Sequence, residues 1–208
     1  MAVETKNEIL DAADLLFGRL GFEGATTREI AEASGANKAL IHYHFGGKEG
    51  LLDGVLDRYY ARLTSALVAA LHGEGDVRER MHRLVDAYID FLGENPNFFR
   101  IVQREAAGGP RMDRIVARMG SILGLGLPAI REAFPVTASG PLAAEHLAVS
   151  FYGAIITYFS YAKVLEGLLG QDPLSERSIL ERKRHIRWML DTTLDALERE
   201  GVDRQEGA

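Results

Sequence analysis

Apolar residues three and four positions apart recur along the whole of this 208-residue chain, and no run alternates apolar with polar β-branched residues. That period predicts an all-α fold. Capping residues and glycines divide the pattern. Thr5 and Glu8 form a Thr-x-x-Glu capping box ahead of a stripe of Ile9, Leu10, Ala13, Leu16, Phe17 and Leu20 that stops at Gly21. Thr26 and Glu29 open a short second helix that has Ile30 and Ala31 inside and Gly35 at its end, and Asn37 caps a third helix through about Phe45, where Gly46-Gly47 breaks it. Longer helices follow from Lys48 to near Gly73 and, capped by Asp76 and Glu79, to Gly93. A short aromatic helix then runs to Gly108-Gly109-Pro110. Residues 111–134 read as one helix weakened by Gly120, Gly124, Gly126 and Pro128, and 141–169 and 174–200 as the last two. The expectation is about nine helices: an N-terminal three-helix domain over 1–47, a larger helical domain over 48–200, and a polar tail over 201–208.

Several function classes drop out. With no cysteine, disulfides, thiolate metal sites and thiol nucleophiles are excluded. His42, His44, His72, His82, His146 and His185 show no metal-ligand spacing, and neither a Gly-x-Ser-x-Gly elbow nor a phosphate-binding glycine loop is present. No catalytic residue, metal or cofactor is expected, and the chain does not read as an enzyme. The start, Met1 to Lys6, lacks the pattern of a signal peptide, and no stretch of about 20 apolar residues can span a bilayer. A cytoplasmic protein without membrane contact is the expectation.

Residues 27–46 have the layout of a helix-turn-helix. That geometry asks for a small residue where two helices cross, a glycine in the turn and an apolar residue where the second helix packs back, and Ala31, Gly35 and Ile41 supply them. The net charge of −6 counts against a nucleic-acid partner, and residues 1–50 alone hold 5 Lys+Arg against 8 Asp+Glu. Localised, the objection weakens. From Thr26 to Lys48 three residues are basic and two acidic, and both acids, Glu29 and Glu32, precede the helix that begins after Asn37. Charges beyond about 8 Å are largely screened at physiological salt.

The segments Gly-Phe-Glu-Gly-Ala-Thr-Thr-Arg-Glu-Ile-Ala (21–31) and Gly-Ala-Asn-Lys-Ala-Leu-Ile-His-Tyr-His-Phe-Gly-Gly-Lys-Glu-Gly-Leu-Leu (35–52) resemble the DNA-binding domain of the tetracycline-repressor (TetR) family, over about residues 5–56. The resemblance implies a homodimeric regulator that binds double-stranded operator DNA through its N-terminal domain and a small molecule through its larger one, with repression the commoner mode. Thr27 and Arg28 then suit a phosphate at a helix start, or Arg28 a guanine. Asn37, Lys38 and Ala39 lie where the recognition helix meets base edges, with Lys38 able to donate to guanine and Ala39 to touch a thymine methyl. The resemblance assigns Tyr43 to the DNA face and His44 and Lys48 to phosphate. His42 departs from the family's usual tyrosine at a phosphate contact, and because it donates more strongly when protonated, affinity is expected to fall between about pH 6 and 8. Leu40 stands where a small or hydroxylated residue is common, so the base preference is not readable.

In the larger part of the chain, the helix over 141–169 is apolar on nearly all sides and must be covered by a core or a second subunit. The family's last two helices form the dimer interface, which points to Tyr158, Leu165, Ile186, Met189, Leu190 and Leu194. Two reading heads must reach half-sites about 34 Å apart, or a multiple, on a near-palindromic operator. An effector pocket follows from the resemblance and from aromatic residues on the middle helices, with Tyr59, Tyr88, Phe98, Phe99, Tyr152 and Phe159 as candidates that can equally fill the core. Without a charged cluster, the effector expected is largely apolar or aromatic. A roughly 100-fold release from DNA requires about 2.7 kcal/mol of coupling. The run Glu181-Arg182-Lys183-Arg184-His185 reads as a solvated helix face. The alternative is a helical small-molecule carrier or protein-interaction module that does not bind DNA.

Overall fold

A computed structural model describes residues 2–106 and 112–206. The break expected at Gly108-Gly109-Pro110 and the last two residues of the tail lie outside the described residues. Those residues form eleven α-helices and two short 3-10 turns, without a strand. The excess over nine arises where two expected helices each divide.

The chain separates into two compact units. Unit one comprises residues 1–63 and 95–116. It holds α1 (Ala2–Gly24), α2 (Thr27–Ser34), α3 (Lys38–Phe45), the first part of α4 (Lys48–His72), α6 (Pro96–Ala106) and the start of α7 (Met112–Leu123). Its core is made of side chains with almost no exposure: Ile9, Phe17, Ile30, Ile41, Leu51, Leu52, Leu56 and Leu63. Each such side chain is worth about 1.5–3 kcal/mol over leaving it in water. α2 and α6 both pack on α1, and α3 packs on α2. Two local expectations change here. α1 begins at Ala2, so Thr5 lies inside the helix and does not cap it. α1 also does not simply stop at Gly21. That residue takes φ 77, and a further turn to Gly24 follows, closed by the Ala25 amide donating to the Gly21 carbonyl at 3.2 Å. Only a residue tolerant of positive φ fits this kink.

Unit two comprises residues 64–94 and 117–208. It contains α5 (Val77–Glu94), α8 (Leu127–Ala133), 3-10 turns at Pro135–Ala138 and Gly140–Leu142, α9 (Ala144–Ser160), α10 (Ala162–Leu169) and α11 (Glu176–Glu206). α5 and α11 lie side by side, burying Met81, Val85, Ile89 and Leu92 on one and Ile186, Leu190, Leu194 and Leu197 on the other. Charged pairs flank this seam. Arg78 reaches Asp195 at 2.6 Å and Asp191 at 3.0 Å, His82 meets the same Asp191 at 2.8 Å, Lys183 meets Asp90 at 2.5 Å, and Arg187 pairs with Asp86. The Asp195 and Asp191 carboxylates push the Arg78 guanidinium further up from an already basic value.

The expected helix over 111–134 is α7 and α8, parted at Gly124–Gly126, and that over 141–169 is α9 and α10, bent by 73° at Tyr161. The Ser160 hydroxyl donates to the Ile156 carbonyl at 2.7 Å just before the bend, a side-chain competition that loosens a helix. α11 continues through Glu206, so the expected polar tail is helical over 201–206. The basic run is not a solvated face throughout either: Lys183 is committed to Asp90, and the half-buried Arg182 donates to the Ala154 carbonyl with its guanidinium 5.0 Å from the Tyr158 ring centre. No single described helix is long and apolar enough to cross a membrane.

Candidate nucleic-acid interface

α2 and α3 are held at their ends by the residues that the sequence marks. The Thr26 hydroxyl accepts from the Glu29 amide at 3.2 Å, and the Glu29 carboxylate accepts from the Thr26 amide at 2.9 Å and the Thr26 hydroxyl at 2.7 Å, a complete capping box. These bonds, the side-chain one first, hold the Glu29 carboxyl below its ordinary 4.5. A depressed carboxyl stabilises the fold above its unfolded pKa, and the contribution is lost as pH falls through the lowered folded value. Thr26→Ala is therefore expected to cost about 1 kcal/mol at neutral pH. The cost should shrink below pH 4.5 as Glu29 protonates, which urea unfolding at the two pH values measures. At the other end of α2, Gly35 takes φ 67. Asn37 Oδ1 then accepts from the Leu40 amide at 2.9 Å to start α3, and Gly46, at φ 72, donates to the His42 carbonyl at 2.9 Å to end it.

With Ile30, Ala31 and Ile41 turned into the core, the opposite side of α3 is left to solvent. Asn37, Lys38, Ala39 and His42 are exposed there, and Tyr43 is 81% exposed. Thr27 comes from the start of α2 to join Lys38, Ala39 and His42 around one shallow hollow that Gly47 closes. Arg28 stands outside it, exposed and paired with Glu32 at 3.0 Å, one turn along the same helix. Such a surface pair is worth only about 0.3–0.5 kcal/mol, so a phosphate can displace it. His44 is half-buried and edge-on to Tyr43, their ring centres 5.0 Å apart. Lys48, half-buried at the start of α4, lies with Nζ 4.4 Å from the centre of the Phe22 ring and 3.5 Å from the Glu23 carbonyl.

Two further residues matter here; both lie inside the segments 21–31 and 35–52, and neither is assigned a role by the motif. Gly50 sits in the first turn of α4, where a Cβ would stand 1.9 Å from the Phe45 carbonyl oxygen. The available sign was a glycine inside an otherwise good helix, where it costs about 1 kcal/mol against alanine and so needs a packing reason. Phe22 is the other, an aromatic residue in a turn.

Unit two holds a separate cavity of about 130 Å³ whose lining side chains are all uncharged. Of the six aromatic candidates it takes Tyr88 and Tyr152, stacked with centroids 6.3 Å apart, alongside Leu84, Phe151, Leu190 and Thr193. Burial raises the Tyr152 hydroxyl above its ordinary pKa, so it stays protonated. The other four candidates lie elsewhere. Tyr59 and Phe98 are core of unit one, with ring centres 5.1 Å apart, and burial together with a hydrogen bond to Asp14 raises the Tyr59 pKa. Phe99 is half-buried on α6, and Phe159 is buried beside Tyr158.

The candidates for a dimer interface also divide. Ile186, Leu190 and Leu194 are buried within the subunit, the last two on the cavity wall, so they face their own core and not a partner. Tyr158 is half-buried and donates to the Pro173 carbonyl at 2.8 Å, and Leu165 and Met189 are half-buried. The large apolar residues that unit two presents include Val149 on α9, Tyr161 at the bend, Val164, Leu168 and Leu169 on α10, Leu174 ahead of α11, and Leu180, Trp188 and Val202 on α11.

Residues 9–55 match the family model described as bacterial regulatory proteins, tetR family. Among curated proteins the chain is 32% identical over 107 residues to "Probable HTH-type transcriptional regulator YttP" of Bacillus subtilis, covering 50% of this chain and 52% of that protein. It is 31% identical over 99 residues to the HTH-type transcriptional activator FasR of Mycolicibacterium smegmatis, covering 48% and 45%. It is likewise 31% identical over 104 residues to the HTH-type transcriptional repressor NicS of Pseudomonas putida, covering 50% and 49%. The match thus spans about half the length of each of these relatives. Among solved structures, the fold is similar to the fatty acid degradation regulator FadR from Bacillus halodurans at TM-score 0.73 and 17% identity, over 89% of this chain and 94% of that one. It is also similar to the TetR family regulator PfmR from Thermus thermophilus at TM-score 0.69 and 20% identity, over 90% and 97%.

Proposed function

We propose that this chain, whose residues 9–55 match the tetR family of bacterial regulatory proteins, is a tetR-family DNA-binding transcriptional regulator that reads a near-palindromic operator as a homodimer. One observation carries the reading: α3 turns Lys38, Ala39, His42 and Tyr43 to solvent, and no acidic residue lies among them. Thr27 and Lys48 stand at the starts of the neighbouring helices, where free backbone N–H groups favour a phosphate. Residues 1–47 act as the DNA-binding domain and 48–200 as the effector and dimerisation domain. The curated relatives include one named activator and one named repressor. We assign repression, the commoner mode in the family.

The effector is a small, largely apolar or aromatic molecule. The support is the uncharged cavity in unit two, since an unpaired ionised group buried there would carry a large desolvation cost. Occupancy releases the operator by favouring a spacing of the two reading heads that misfits the half-sites.

DNA anisotropy on a sequence selected by the full chain from random duplexes tests the reading. Lys48→Ala is expected to weaken all sequences alike and to flatten the salt slope by about one phosphate per subunit. Lys38→Ala is expected to relax the base preference at one position per half-site, a discrimination of about 1–3 kcal/mol. An unchanged preference removes Lys38 from the reading set. A chain that binds apolar ligands but shows no salt-dependent DNA binding is a carrier, the competing reading that the cavity also favours.

A further inference from the structure

The turn after α1 carries a role that goes beyond the contact residues. Gly21, at φ 77, redirects the chain so that the Phe22 ring and the Glu23 carbonyl converge on the Lys48 ammonium, at 4.4 Å and 3.5 Å. The ring is not loose. It meets the buried Phe17 ring at 5.9 Å, and Ala25, at the end of the turn, is fully buried. A second side chain braces the same turn: Arg104 on α6 donates from a terminal guanidinium nitrogen to the Phe17 carbonyl at 3.3 Å. That nitrogen lies 3.0 Å from where a Cβ on Gly21 would stand. Every member of this series belongs to unit one.

We infer that Phe22 is a positioning residue for Lys48, holding its ammonium where a DNA phosphate is met, and that Arg104 keeps Phe22 in place. A lysine on a four-carbon stem samples many rotamers, and a phosphate contact must otherwise overcome the loss of that freedom. An aromatic face attracts the ammonium without consuming its N–H groups, so the lysine is ordered before DNA arrives and still has donors to offer. A carboxylate in the same place would order the lysine equally well, but would cancel the charge that the phosphate seeks. The turn supplies instead a quadrupole and one long contact to a neutral carbonyl.

This inference rests on the DNA-binding reading, and its test has one arm that does not. In the free full-length chain, the ε-methylene protons of Lys48 are expected to be shifted upfield by the Phe22 ring, and to return to ordinary values in Phe22→Leu. An unshifted Lys48 overturns the proposal whether or not the chain binds DNA. In the second arm, a labelled duplex carrying the selected sequence is titrated with a double-mutant cycle. Phe22→Leu is expected to weaken binding about 3–10-fold with the salt slope unchanged, and Arg104→Met about 2–3-fold. Phe22→Tyr restores the wild-type affinity. In a Lys48→Ala background both substitutions should be silent within about twofold, whereas a role confined to packing of the turn would weaken binding in that background too. Additive effects, or a Phe22→Leu protein that binds as well as or better than wild type, overturn the proposal. No DNA binding by a chain that does show the shifted Lys48 resonance counts against the DNA-binding reading and leaves the geometric assignment standing.

Discussion

Gly50→Ala is expected to abolish DNA binding and to destabilise unit one by about 3 kcal/mol, the upper end of what overpacking costs. The atom that an alanine Cβ meets, 1.9 Å away, is the backbone carbonyl oxygen of Phe45. A clashing side chain could swing aside, but this oxygen moves only if the turn between α3 and α4 opens. That turn is tightly determined. Gly46 donates to the His42 carbonyl, the Leu51 amide donates to the Gly47 carbonyl at 3.0 Å, and Leu51 and Leu52 are buried one residue later. Opening it tilts the end of α3, which carries His42 and Tyr43, and moves Lys48 off the Phe22 ring. The loss of function should therefore exceed what the loss of stability alone explains: at temperatures where circular dichroism still reports a folded variant, anisotropy with the selected duplex should show no saturable binding. Gly120→Ala is the control. A Cβ there meets nothing within 4 Å, so alanine should raise stability by up to about 1 kcal/mol through helix propensity and leave DNA binding unchanged. Equal behaviour of the two variants would contradict the close approach at Phe45.

What was legible in the sequence is what depends on residues within one helical turn of each other. The Thr26–Glu29 and Asp76–Glu79 boxes close as their spacing predicts, the latter with the Glu79 amide 2.8 Å from an Asp76 carboxylate oxygen and the Asp76 amide 3.1 Å from Glu79. Gly35 and Gly46 adopt the left-handed conformation required of them. Thr5 and Glu8 have the same spacing without closing a helix start, because the helix already runs from Ala2; a capping box marks a possible start and does not forbid an earlier one. What was not legible depends on partners far along the chain. Tyr59 and Tyr88 look alike in sequence, yet one is bonded to Asp14 in the core of unit one and the other lines the cavity of unit two. Ile186, Leu190 and Leu194 form a helical stripe that can equally serve a subunit's own core or a partner. α5, with Met81, Val85, Ile89 and Leu92, decides for the core. The same blindness hid Phe22, whose value lies in a lysine 26 positions away.

A Leu180→Asp, Trp188→Asp double variant is expected to run as a folded monomer and to lose operator affinity at least about 100-fold. Removing the stripe that faces inward leaves the outward side of α11, where Leu180, Arg184, Trp188 and Thr192 follow one another at four-residue intervals, all exposed. Trp188 is 61% exposed, with the His185 ring stacked on it at 5.7 Å, and Leu180, about two turns earlier on the same face, is 50% exposed. Apolar residues of this size presented together are the usual mark of a surface that another protein covers, and a tryptophan is the residue type most often found to dominate such a contact. Linking two reading heads makes the second half-site encounter intramolecular, a gain of about 10²–10⁴ in affinity that a monomer forfeits. The choice of positions makes the outcome decisive. Aspartate at Leu190 or Leu194 would break the core and the cavity wall, so unfolding would mimic loss of the dimer. Aspartate at Leu180 and Trp188 buries no charge in the isolated subunit and should leave its thermal unfolding nearly unchanged at low protein concentration. Sedimentation velocity then separates the cases. A dimer that persists in the double variant moves the interface off α11, and a monomer that still binds the operator tightly removes the need for two heads.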